Sequence, residues 1–97
     1  MKLEVGDVVA LNMPMLGCEI GTRGVVYETY KDFDDKNLKG VSVIFENGNY
    51  DGFSAEEQGV MLVKENVFPY QKKSYEFKNV MKLSEDFRAG YWDDIFV

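Results

Sequence analysis

The 97 residues predict a mainly β domain, a small, partly open barrel of about five strands followed by a C-terminal helical tail. Three observations predict it. Short runs of β-branched and aromatic residues recur through the first two thirds of the chain, and clusters of Gly, Asn and Asp separate them. Beyond Pro69 the spacing of apolar residues lengthens to three or four.

Val5-Gly6-Asp7-Val8-Val9-Ala10-Leu11 reads as the first strand, entered through a Gly-Asp turn signal. Asn12 to Gly21 holds Pro14, Gly17 and Gly21 and reads as a loop. Arg23 to Tyr30 is rich in strand formers and reads as the second strand, with Gly24 placed where a bulge or a close backbone approach needs it. Lys31 to Gly40 is polar and reads as an exposed loop, and Val41 to Glu46 as the third strand. Asn47-Gly48 is the strongest hairpin signal in the chain and leads into a fourth strand, Asn49 to Phe53.

Ser54 with Glu57 three residues on predicts a capped helical turn ending before Gly59. Val60 to Val63 reads as a fifth strand. In the tail, Phe77, Val80, Met81, Ser84, Phe87, Tyr91 and Ile95 follow helical spacing. Ser84-Glu85-Asp86 also reads as a fresh helix start, so the segment from Tyr75 to Leu83 admits either a sixth strand or the beginning of the helix. One domain is expected, with the barrel over residues 1–65 and the partly helical extension over 66–97.

Composition narrows the function. No apolar run approaches the roughly 20 residues of a membrane span, and no signal-like apolar core follows Met1, which predicts a cytoplasmic location. Cys18 is the single cysteine, in keeping with a reducing compartment. Net charge is −6, and the acidity is concentrated between Lys31 and Gln58, where three basic residues face seven acidic ones. A phosphate backbone needs clustered Lys and Arg, and only Lys72-Lys73 offers such a pair, so nucleic acid is disfavoured as a partner.

The opening Val5-Gly6-Asp7-Val8-Val9, followed by Gly21-Thr22-Arg23-Gly24-Val25-Val26, resembles KOW-type and related SH3-like barrels over Lys2 to Val63. There a Gly-Asp turn starts the first strand and a Gly-x-x-Gly-x-Val element the second, because small barrels turn sharp corners on glycine. The resemblance implies an SH3-like barrel of five short strands and contact with RNA or a partner protein. The stretch from Gly40 to Phe53 is also similar to small bacterial and phage proteins.

Candidate chemistry is sparse. The chain has no histidine, which removes the commonest general base and zinc ligand. Glu19 beside Cys18 disfavours the thiolate, so Cys18 reads as inert. Asp32, Asp34 and Asp35 suggest a cation loop, but an EF-hand register starting at Asp32 would place Lys36 and Asn37 where an oxygen ligand and a glycine belong. No metal and no cofactor are expected. The three aspartates read instead as a solvated loop or as a surface for a basic partner.

The loop from Asn12 to Ile20 is apolar for a loop, and Met13, Met15 and Leu16 either pack beneath the barrel or present an adaptable contact surface. Tyr27, Tyr30, Tyr50, Phe53 and Trp92 are the aromatics a peptide groove could use. Alternation sets Tyr27 with Val25 and Thr29, and Tyr30 with Val26 and Glu28. Trp92 and Phe96, with Tyr91 and Ile95, read as anchors of the tail on the barrel.

The resulting expectation is a non-enzymatic protein-interaction module, an acidic inhibitor or immunity-type protein. Its partner-binding residues would be Met13, Met15, Leu16, Tyr30, Asp32, Asp34, Asp35 and Tyr50, meeting a protein partner with a basic surface. The alternative is an RNA- or ribosome-associated KOW-like module in which Arg23, Lys72, Lys73, Lys78 and Lys82 gather on one face. An enzyme built on a carboxylate pair alone has little room for a cleft in a chain of this length. Unpaired strand edges predict a monomer or weak dimer.

Overall fold

Val8, Val9, Ala10 and Leu11 are all buried, although a strand with one wet face would alternate. The computed structural model, which describes residues 3–15, 17–31, 39–64, 77 and 79–93, shows why. Strands β1 (Val8–Leu11), β2 (Arg23–Lys31), β3 (Lys39–Phe45), β4 (Tyr50–Phe53) and β5 (Leu62–Lys64) form one antiparallel sheet in the order β4-β3-β2-β1-β5. Helix α1 (Ala55–Met61) lies between β4 and β5, and α2 (Val80–Arg88) follows. This is the expected mainly β, partly open five-stranded barrel with a helix in the tail.

The sheet curls around one apolar cluster and carries a second on its outside. Leu3, Val9, Leu11, Cys18, Val26, Val41, Val43, Phe45, Phe53 and Leu62 form the inner cluster. The outer cluster joins Val8, Val25 and Ile44 of the sheet to Leu83 and Phe87 of α2 and to Trp92. Trp92 stacks on Phe87 with ring centroids 5.2 Å apart, so it anchors the tail as expected. Burial on both faces explains the unbroken apolar runs of β1 and β3.

Local chemistry sets the boundaries. The first strand is shorter than its apolar run because Glu4-Val5-Gly6-Asp7 is a turn, with Gly6 at φ +96° and the Asp7 N–H donating to the Glu4 carbonyl. Gly24 is the close approach: a Cβ there would stand 2.6 Å from the Ile44 carbonyl oxygen. The bulge falls elsewhere, between Val26 and Glu28, so Tyr27 has no opposite residue on β3. The β3–β4 hairpin places Gly48 at φ +89°, with its N–H on the Phe45 carbonyl while the Phe45 N–H reaches Asn49. That is a three-residue loop with a glycine bulge.

The Ser54–Glu57 capping box forms in both directions, at 2.9 and 3.2 Å. α1 nevertheless runs through Gly59 to Met61, two turns where one was expected, because it packs against β3, β4 and β5 and spans the gap between the edge strands. Buried Gln58 donates its amide to the Lys39 carbonyl at 2.7 Å. In the tail the helix starts at Asn79, whose side chain accepts from the N–H groups of Met81 and Lys82. Ser84 is no start signal: it sits buried mid-helix and donates to the Gly48 carbonyl at 3.3 Å, tying α2 to the hairpin. Gly90, at φ +86°, closes the helix with its N–H on Phe87 and the Tyr91 N–H on Asp86, a Schellman arrangement.

Candidate functional site

Strand register writes the outer face as rows. Val8, Val25, Ile44 and Tyr50 stand opposite one another across four strands. The first three lie in the cluster with α2, whereas Tyr50, on the edge strand, is 52% exposed. The next row is Glu28, Ser42 and Gly52, and the one after it Tyr30 and Gly40. The bulge moves Tyr30 out of the alternation expected from Val26 and places it, with Glu28, on this outer face. Tyr27 leans against the outer cluster and separates the covered row from the other two.

The patch has a specific construction. Tyr30 folds across its opposite residue, so that a Cβ on Gly40 would fall on the far end of the ring. Its hydroxyl oxygen lies 3.2 Å from where a Cβ of Gly52 would stand. Ser42, under these side chains, donates to the Glu28 carboxylate at 3.1 Å. Asp51, which stands opposite Val43 of the inner cluster and so not in these rows, accepts from the Gly52 N–H at 2.8 Å, occupying a backbone donor of the edge strand. Burial pushes the Tyr27 hydroxyl above its ordinary pKa; a hydrogen bond with Ser42 pulls the other way, while Glu28, Tyr50 and Asp51 add to the rise.

The expected contact residues divide. Tyr30 and Tyr50 share the outer face, near opposite ends of β3. Met13 and Met15 lie beyond the other end of β2, in the loop that precedes Arg23. Met15 is half-buried against the inner cluster, and the loop doubles back through paired hydrogen bonds between Met15 and Cys18. Cys18 is buried, and its sulfur accepts from the Asn47 amide at 3.0 Å. Leu16, Asp32, Asp34 and Asp35 lie outside the described residues. So do Lys72, Lys73 and Lys78; Arg23 is on β2, and Lys82 pairs with Asp86 on α2 at 3.4 Å.

Sequence reading passed over Glu28, Ser42, Gly40, Asp51 and Gly52. Their shared signal was the hairpin at Asn47-Gly48, whose register brings Gly52 opposite Ser42. Among the described residues no group of three His, Cys, Asp or Glu side chains is placed to hold a metal, and no helix is long and apolar enough to cross a membrane. The fold and the patch together define a partly open barrel with a tyrosine- and carboxylate-bearing face. No family model, curated protein or solved structure matches the chain.

Proposed function

We propose that this chain is a non-enzymatic protein-interaction module of the acidic inhibitor or immunity type, binding a protein partner with a basic surface. One observation carries the reading: exposed Tyr30 and Tyr50 share a sheet face with exposed Glu28, beside the part of that face sealed by α2. Tyrosines that offer apolar area together with a polar tip, beside a carboxylate, suit a protein contact with a cationic surface. The seven acidic residues between Lys31 and Gln58 steer in the same direction. The resemblance to KOW-type and SH3-like barrels agrees with a binding role.

The test is affinity capture of the tagged chain from nuclease-treated extract of its native cell, with wild type compared against two charge reversals. One partner should be recovered in near-equal amount, and both Glu28→Lys and the triple change of Asp32, Asp34 and Asp35 to Lys should weaken its capture. Proteins that disappear on nuclease treatment, with binding that falls steeply as salt rises, would shift the reading to the RNA-associated module.

A further inference from the structure

We infer that Asn47 is a latent deamidation site, and that the Cys18 sulfur is part of what delays its conversion to an acid. Asn47 is the only asparagine of the chain followed by glycine, and it sits exposed in the β3–β4 loop, where water reaches it. With no Cβ on Gly48, no side chain hinders the approach of its nitrogen to the preceding residue. The Gly48 nitrogen gives up its proton and attacks Asn47 Cγ. The new N–C bond closes a succinimide as the Cγ–Nδ2 bond breaks, and Nδ2 departs with that proton as ammonia. Water then opens either carbonyl of the ring to leave aspartate or isoaspartate. The sum is amide plus water giving acid plus ammonia, with no change of oxidation state.

The fold holds the reacting atoms in place. The Gly48 N–H donates to the Phe45 carbonyl at 2.8 Å, so its proton is engaged inside the turn. Asn47 Oδ1 accepts from the Asn49 N–H at 3.0 Å, and Nδ2, the departing nitrogen, donates to the Cys18 sulfur at 3.0 Å. From the other side, Ser84 of α2 donates to the Gly48 carbonyl at 3.3 Å. Ring closure swings Cγ onto the Gly48 nitrogen, which breaks both Asn47 bonds and frees the Gly48 N–H. Three of these four bonds have a backbone partner in the hairpin. The fourth joins two side chains and reaches Cys18, 29 positions earlier, in the loop between β1 and β2. It is therefore the one that a substitution removes while leaving the turn intact. The reaction undoes the same contact for good: an ionised aspartate has no proton to donate to sulfur, and isoaspartate lengthens the backbone of the loop.

The experiment ages the full chain at mildly alkaline pH, native and in guanidinium chloride. Residue 47 is followed by peptide-resolved mass spectrometry, because Asp51-Gly52 forms isoaspartate through the same ring. The amide should be lost more than about tenfold faster in the denatured chain than in the native one. Cys18→Ala should speed the native loss about two- to tenfold, the effect of removing one hydrogen bond. Cys18→Ser keeps an acceptor beside Asn47 and should stay near the wild-type rate, although both variants disturb the same buried position. Equal rates in the native and denatured chains, or a Cys18→Ala rate equal to that of wild type, would overturn the inference. Equal acceleration in the two variants would do so as well, because it traces the gain to lost stability and not to the lost bond.

Discussion

Tyr27 occupies the bulge, and its hydroxyl is held above the ordinary tyrosine pKa, chiefly by burial. Raising the pKa of an acid in the folded state means that the fold favours the neutral phenol. The associated stability is complete below about pH 10, the unfolded value, and is lost as pH climbs from there through the folded pKa. A phenolate absorbance titration should therefore lose late-ionising amplitude in Tyr27→Phe, and the variant should lose less stability than wild type above pH 10. If the late-ionising amplitude is the same in the variant as in wild type, the burial assigned to Tyr27 is wrong. The same residue was hard to place from sequence. Bulges are often marked by glycine, and here the glycine at the start of the strand, Gly24, serves a close contact while the bulge falls on a tyrosine three residues later.

At the scale of elements, helix α1 contains a glycine with nothing to recommend it. A Cβ at Gly59 would meet no atom within 4 Å, and the residue lies inside a helix. Gly59→Ala should raise unfolding free energy by about 0.5–1 kcal/mol through lost freedom of the unfolded chain, measured by urea denaturation. No gain would mean that α1 frays before that position. This helix also shows how far local signals reach. The Ser54–Glu57 box was legible because both partners lie within four residues, whereas its end was not, since Gly59 reads as a stop and only packing against β3, β4 and β5 carries the helix past it. The β3–β4 hairpin was legible through Asn47-Gly48. The start of α2 was blurred because Asn79 and Ser84 both resemble caps, and the bond that decides between them, Ser84 to the Gly48 carbonyl, spans 36 positions. Tyr30 and Tyr50 were recognisable as contact candidates by residue type. Their union with Glu28 and Ser42 depended on a register shifted by the bulge, which no local pattern announces.

For the whole molecule, the second apolar cluster makes α2 part of the fold and not an appendage. Leu83 is fully buried against the outside of the sheet, so Leu83→Ala should cost about 2–5 kcal/mol. Met81, 71% exposed on the same helix, should tolerate alanine within about 0.5 kcal/mol. Thermal melts of the two variants distinguish a packed helix from a loosely attached one, and equal melting temperatures would refute the packing. Two-sided burial also imposes an order on synthesis. The inner cluster is complete in sequence at Leu62, but the outer one waits for Trp92, thirty residues further along. At a ribosomal pace of ~5–20 residues per second, that separation lasts roughly two to six seconds. During that interval the emerging chain shows Val8, Val25 and Ile44 as a bare apolar row to the chaperones around the exit tunnel, and it is covered only once α2 and Trp92 have been made.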